Sequence, residues 1–76
     1  PFNPVTNINY QVNETSNISI NIYDINGKFV GELFNGYLNA GMHSIEWNAS
    51  GVASGTYILQ INNENYMSTQ KLVLLK

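Results

Sequence analysis

The segment NISINIYDINGK, residues 17–28, decides which fold class the sequence predicts. Isoleucine alternates with polar residues over positions 18–22, so an extended chain would carry all three isoleucines on one face. The Asn26-Gly27 pair that follows favours the positive φ angles of a tight type I′ hairpin. These features predict a β-strand, a two-residue turn and a returning strand over positions 29–34.

The same alternation continues outward from this hairpin, and no segment keeps the 3.6-residue apolar period of an amphipathic helix. Strands are predicted at residues 8–12, 18–23, 29–34, 43–48, 57–61 and 66–75. Loops are predicted at residues 35–36, 38–41, 49–55 and 62–65. Val30 and Leu33 cannot both face inward on a regular strand, and Gly31 between them favours a bulge or a strand end. Six or seven strands with turns every 8–12 residues or so indicate a two-sheet β-sandwich.

The alternation also predicts the core, because residues two apart on a strand share one face. Trp47 is expected in this core and not at a ligand site. The predicted core residues are Ile8, Tyr10, Val12, Ile18, Ile20, Ile22, Ile45, Trp47, Tyr57, Leu59, Ile61 and Val73.

Composition limits the functions that the chain can have. Its 76 residues suffice for one small domain, and without cysteine it forms no disulfide. A net charge of −2 with only three basic residues gives no basic stripe for nucleic acid. The sequence contains no apolar stretch of about 18 residues, so we expect no membrane insertion.

The polar residues do not form a catalytic or metal-binding motif. His43 is the one histidine, and we expect it to be a partly buried strand residue bonded to a loop carbonyl, because Glu46 faces the other side of its strand. Asp24 begins a loose likeness to a calcium loop, but the EF-hand spacing and closing glutamate are absent. Asp24 is interpreted as a turn cap, with weak calcium binding as the alternative. We therefore expect no catalytic residues, no metal ligands and no cofactor.

The tyrosines leave glycan binding open, because amphipathic rings can stack on sugars. Alternation directs Tyr10 and Tyr57 inward and leaves Tyr23, Tyr37 and Tyr66 to face outward. Singly exposed rings are common on protein surfaces. A sugar-stacking platform would require the outward rings to lie together.

Five stretches, taken in order, resemble one known family. They are Pro1-Phe2-Asn3-Pro4 with Thr6 and Ile8, Ile22-Tyr23-Asp24 with Gly27-Lys28, Ala40-Gly41-Met42-His43 leading to Trp47, Ser54-Gly55-Thr56-Tyr57, and Lys71-Leu72-Val73-Leu74-Leu75-Lys76. Over its whole length the chain is similar to the type A C-terminal sorting domain of the type IX secretion system, carried by exported proteins of the Bacteroidetes. Members usually begin Tyr-Pro-Asn-Pro-Phe and more often have arginine where this chain has Lys28. The immunoglobulin-like domain of flagellar hook-capping proteins is a near relative, and the terminal run KLVLLK favours the sorting family over it.

The resemblance implies an immunoglobulin-like antiparallel β-sandwich of about seven strands. Such a domain directs an attached cargo through the periplasm and across the outer membrane to the cell surface or medium. Residues 1–76 would be a single C-terminal sorting domain, a fragment of a longer secreted precursor. The implied partners are translocon and sortase proteins, the function is non-enzymatic, and the domain is expected to be a monomer. The alternative is an immunoglobulin-like structural or glycan-binding accessory module of a secreted hydrolase.

The run QKLVLLK is the strongest candidate for recognition by the translocon. A last strand at a sheet edge exposes unpaired backbone groups that a partner can extend. Its lysines would discourage indiscriminate pairing and could meet acidic groups on a receptor. The predicted recognition residues are Gly55, Tyr57, Lys71, Leu72, Val73, Leu74, Leu75 and Lys76.

Overall fold

The computed structural model describes residues 5–75 and consists of six β-strands, all paired antiparallel. The strands are β1 (Val5–Val12), β2 (Ser16–Asp24), β3 (Phe29–Leu38), β4 (Gly41–Asn48), β5 (Gly55–Asn62) and β6 (Met67–Leu74). The all-β prediction is confirmed, with six strands where about seven were expected. The predicted loop at 38–41 is shorter, because only residues 39–40 separate β3 from β4. Within the described residues no helix is long and apolar enough to cross a membrane.

The six strands form two sheets that pack as a sandwich. β1 and β4 make a two-stranded sheet, and the other four strands make a sheet in the order β3-β2-β5-β6. Trp47 of β4 contacts Tyr57 of β5 edge to face, with 5.3 Å between ring centroids, so these rings join the two sheets. β2 and β5 are central strands of the larger sheet, and β3 and β6 form its edges.

The core lies between the sheets and follows the predicted alternation on β1, β2 and β5. Ile45 is only half-buried, and Val73 is 63% exposed, so placing Val73 in the core was wrong. The register sets Val73 opposite Thr56, whereas Leu74, at 7% exposure, takes the core position. The buried core residues are Ile8, Tyr10, Val12, Ile18, Ile20, Ile22, Trp47, Ala49, Tyr57, Leu59, Ile61 and Leu74.

β3 contains two bulges, one on each side of Gly31. The register with β2 skips Leu33 and Val30, so each is an extra residue on β3. Both side chains pack against the core, which a regular strand could not achieve. The predicted bulge is confirmed. The predicted strand end at residues 35–36 is wrong, because both residues pair with β2 and the strand continues to Leu38.

The β2–β3 hairpin closes through a three-residue loop, so the prediction of a type I′ turn was wrong. The Asp24 amide donates to the Lys28 carbonyl at 2.9 Å, and the Gly27 amide donates to the Asp24 carbonyl at 3.0 Å. Gly27 has a φ of 85°, but no described non-glycine residue has a positive φ, so Asn26 cannot occupy a type I′ position. The loop is a type I turn followed by a left-handed glycine. One oxygen of the Asp24 carboxylate accepts the amides of Asn26 and Lys28, both at 2.9 Å, which confirms Asp24 as the turn cap.

Asparagine side chains hold the opposite end of the sandwich. Asn63 Oδ1 accepts the backbone amides of Asn65 and Tyr66 at 2.7 and 2.8 Å. Asn63 Nδ2 donates to Ser16 Oγ at 3.2 Å, and Asn65 Nδ2 donates to Glu14 Oε1 at 3.1 Å. These bonds join the β5–β6 turn to the β1–β2 connection and fix where β6 begins.

Candidate functional site

β6 is an edge strand with one open side. It spans Met67–Leu74, slightly shorter than predicted, and pairs with β5 along its full length. No described strand pairs along its other side. Within residues 5–75, the backbone N–H and C=O groups on that side therefore have no strand partner.

The first half of β6 is exposed on both faces of the sheet. Ser68 and Gln70 lie opposite Ile61 and Leu59, whose side chains are buried on the core face. Ser68 and Gln70 therefore also lie on the core face, yet both are exposed. All other residues of the range 67–71 are exposed as well. The two-stranded sheet thus leaves this part of β6 uncovered, and a partner can reach it from the edge and from either face.

The second half of β6 is anchored in the core. Leu74 is buried and Leu72 is half-buried against the core cluster, while Val73 and Leu75 are exposed. Lys76 lies outside the described residues. The predicted recognition run therefore divides into leucines that hold the strand and neighbouring side chains that face solvent.

The Ser-Gly-x-Tyr stretch lies directly beside this anchored half. Gly55 pairs with Leu74, and Tyr57 pairs with Leu72. Tyr57 is buried, and its hydroxyl donates to the Ala53 carbonyl at 2.6 Å. Tyr57 therefore fixes the preceding loop and the end of β6 from within the core, and its ring is not available as a surface contact.

The remaining candidates for chemistry occupy structural positions. His43 is half-buried, and its Nε2 lies 2.7 Å from the Asn39 carbonyl oxygen, which confirms the expected loop contact. Tyr10 stacks on the His43 ring at 5.8 Å between centroids, and burial raises the pKa of the Tyr10 hydroxyl, so it stays protonated at neutral pH. Within residues 5–75 no group of three or more acidic, histidine or cysteine side chains could hold a metal ion.

Two of the outward tyrosines, Tyr23 and Tyr37, do not lie together. Tyr23 packs edge to face against Phe29, with 5.8 Å between centroids, at one end of the larger sheet. Tyr37 pairs with Asn17 at the other end of the same hairpin. Residues 18–22 of β2 separate these positions, so the two rings cannot form one stacking surface.

Sequence reasoning missed Ser68 and Gln70 as site residues. The sequence does contain a signal for them. Ser68 and Gln70 are polar, but they have the same alternation as Leu72 and Leu74, which pack in the core. Because residues 72–75 are all apolar, the sequence alone left the phase of the strand open. Once the phase is known, the two polar residues fall on the core face and mark where the covering sheet ends.

Comparison with known proteins identifies a family. A family model described as the secretion system C-terminal sorting domain matches residues 1–75. No curated protein and no solved structure matches the chain. The family match covers every strand described above, including β6 and the stretch from Gly55 to Tyr57.

Proposed function

The chain belongs to the secretion system C-terminal sorting domain family, and we propose that the type IX translocon recognises this chain along the open edge of β6. Domains of this family are C-terminal sorting signals for type IX secretion. The chain therefore marks an attached cargo for export to the cell surface or the extracellular space. The proposal concerns where on the domain that signal lies.

The two-sided exposure of residues 67–71 is the observation that carries the proposal. Strand addition needs a free row of backbone groups and room for alternate side chains of the incoming strand. β6 has the open side. Ser68 and Gln70 are exposed on its core face, so that face has room for the side chains of an incoming strand. A receptor strand could pair there without disturbing the buried core.

Lysines give this edge its charge. Lys71 is exposed on β6, and Lys76 follows the strand. Lysines on an edge strand oppose indiscriminate pairing, and they favour a receptor that presents carboxylates beside its pairing strand. Tyr57 and Gly55 would act as positioning residues, because they hold the anchored half of β6 in register.

The finer features of the pathway belong to the same proposal. The domain would act as a non-catalytic monomer in which residues 1–76 form one C-terminal unit of a longer precursor. It would pass through the periplasm with its cargo, and a surface sortase would then remove it. The family resemblance is what supports these features.

Replacing Lys71 and Lys76 tests the proposal. The chain carrying Lys71→Ala and Lys76→Ala should be fused behind a fluorescent protein with an export signal, in a host that has the type IX machinery. Two exposed ion pairs at about 0.2–1 kcal/mol each correspond to a roughly 2–30-fold loss of affinity for the receptor. Export should fall, while exposed substitutions of this kind change stability by less than about 0.5 kcal/mol each.

A matched variant keeps the result interpretable. Glu46→Gln with Glu64→Gln likewise removes two charges, from an exposed residue of β4 and one of the β5–β6 turn, and should export cargo like the parent. If the lysine variant melts and exports like the parent, the lysines only prevent indiscriminate strand pairing. Recognition of β6 through its lysine charges is then refuted. If both variants lose export equally, the effect is not specific to β6.

A further inference from the structure

Several exposed apolar side chains lie at one end of the outer face of the four-stranded sheet. Ile25 and Phe29 adjoin the β2–β3 loop and are 72% and 55% exposed, and Val73 of β6 is also exposed. The register places Phe29, Tyr23, Ile58 and Lys71 in one row across the sheet, from edge to edge. Apolar surface therefore continues from the loop to β6, which is unusual for a solvent-facing sheet face.

A groove lies within this surface, and we call it the outer-face groove. Its lining residues are Tyr23, Asp24, Ile25, Gly27, Ile58 and Gln60. The Tyr23 ring is braced by its edge-to-face contact with Phe29, so one wall of the groove is held in place. Glycine at position 27 adds no side chain above the groove, and Ile25 and Ile58 give it apolar walls.

Two lysines and two carboxylates lie around the outer-face groove, and one of the carboxylates, Asp24, is in its lining. Lys28 lies in the loop beside Phe29, and Lys71 is the register neighbour of Ile58. Both lysines are exposed. Of the nearby carboxylates, Asp24 already accepts two backbone amides, and Glu32 lies one row further along the face, opposite Asn21.

We propose that the outer-face groove binds an extended peptide segment in which an apolar side chain is flanked by carboxylates. The apolar side chain would enter between Ile25 and Ile58, and the carboxylates would meet Lys28 and Lys71. This inference rests on the proposed function, since it names the chemistry of a second contact made by the secretion machinery. It uses the face of the sheet, whereas strand addition uses the edge of β6.

The geometry favours a peptide over two other occupants. A lipid surface is met by apolar side chains that project outward, whereas a groove with Asp24 and Gln60 in its lining suits a side chain and its polar backbone. A second copy of this chain, paired face to face by two-fold symmetry, would bring Lys28 and Lys71 towards the same lysines of its partner. Such like-charge contacts oppose association.

Binding can be tested with capped pentapeptides and ¹⁵N-labelled chain. A peptide with a central phenylalanine and four glutamates should shift the amide signals of Tyr23, Ile25 and Ile58 in a saturable way. The same peptide with four lysines, or with serine in place of phenylalanine, should not. Lys28→Glu should weaken binding of the glutamate peptide roughly 3–10-fold, because it replaces an exposed attraction with a repulsion. Absence of shifts at the groove, or equal shifts with the lysine peptide, would overturn the proposal.

The other occupants are distinguished in the same experiment. Phosphatidylglycerol vesicles are the second probe. If they shift the groove signals and the glutamate peptide does not, the ligand of the groove is an anionic membrane. Groove signals that change with the concentration of the chain alone would indicate self-association. Either outcome overturns the peptide proposal.

Measuring the export of cargo by two further variants distinguishes peptide binding in the groove from recognition of the β6 edge. Ile25→Asp alters the groove and leaves β6 intact, and Tyr37→Asp is its control, because Tyr37 is equally exposed at the far end of the same sheet. With both variants folded, export should fall for Ile25→Asp and persist for Tyr37→Asp. If Ile25→Asp exports like the parent while the lysine variant of β6 does not, the groove proposal fails and the edge proposal stands. If the β6 variant exports normally, the edge proposal fails and so does the contact of Lys71 with the peptide, because Lys71 takes part in both.

Discussion

Alanine substitutions at Leu74 and Val73 test the phase of β6, on which the proposed recognition surface depends. Leu74 is 7% exposed and packs in the core cluster, whereas Val73 is 63% exposed on the outer face. Truncating a buried leucine to alanine costs about 2–5 kcal/mol, since the lost transfer energy is joined by a cavity term. Leu74 ends its strand, where neighbouring side chains can relax into the space, so we expect roughly 2–3 kcal/mol. Val73→Ala should change the free energy of unfolding by less than about 0.5 kcal/mol.

Urea unfolding followed by tryptophan fluorescence measures both values, because Trp47 is buried and contacts Tyr57 across the core. For a chain of 76 residues an m-value near the low end of the usual range, about 1 kcal/mol per molar urea, places the midpoint of Leu74→Ala roughly 2–3 M below the parent. Thermal melts should show a fall of at least about 8 °C for Leu74→Ala. Val73→Ala should match the parent in both measurements.

The reverse order would refute the register. If Val73→Ala destabilised the chain more than Leu74→Ala, Lys71 would face the core side and Ser68 and Gln70 the outer side. Residues 67–71 would then lose their two-sided exposure. Equal and small losses would instead mean that β6 contributes little to folding.

Trp47→Ala should reduce the free energy of unfolding by about 3–5 kcal/mol, since the ring fills the space between the sheets, and a loss below about 1 kcal/mol in urea unfolding followed by circular dichroism would exclude that role. Gly27→Val should cost more than about 1 kcal/mol, because valine is strongly disfavoured at a φ of 85°, and a melting temperature equal to that of the parent would contradict the three-residue loop. Tyr57→Phe should cost about 1 kcal/mol by removing the donor to the Ala53 carbonyl, and unchanged stability would show that this bond contributes nothing.

The fold was predictable wherever apolar and polar residues alternate strictly. Residues 8–12 and 18–22 alternate without interruption, and the side chains they direct inward are all buried. Strict alternation works because a slip of one residue would move a whole apolar set into solvent. Where the pattern is broken, as between Val30 and Leu33, sequence located the irregularity but could not show that two bulges are present.

Turn chemistry was less predictable, because Asn-Gly has no single structural meaning. At residues 26–27 the pair lies in a three-residue loop, and at residues 35–36 it lies within a paired strand. Residues 35–36 stay in the strand because β2 supplies their cross-strand partners. This pairing outweighs the local preference of Asn-Gly for a turn. The candidate site shows the same limit, since the run of four apolar residues at 72–75 is compatible with either phase until the pairing with β5 is known.

The open half of β6 is held at both of its ends, so its exposure does not result from a loosely attached strand. On one side the Asn63 side chain fixes the preceding turn, and on the other Leu72 and Leu74 pack in the core. The backbone of residues 67–71 is thereby presented in an extended form that a partner strand can join without first ordering it. Lys71 lies within this stretch and also borders the outer-face groove beside Ile58. A receptor segment that pairs along the edge and folds over the face would therefore meet one continuous surface with a lysine at its junction.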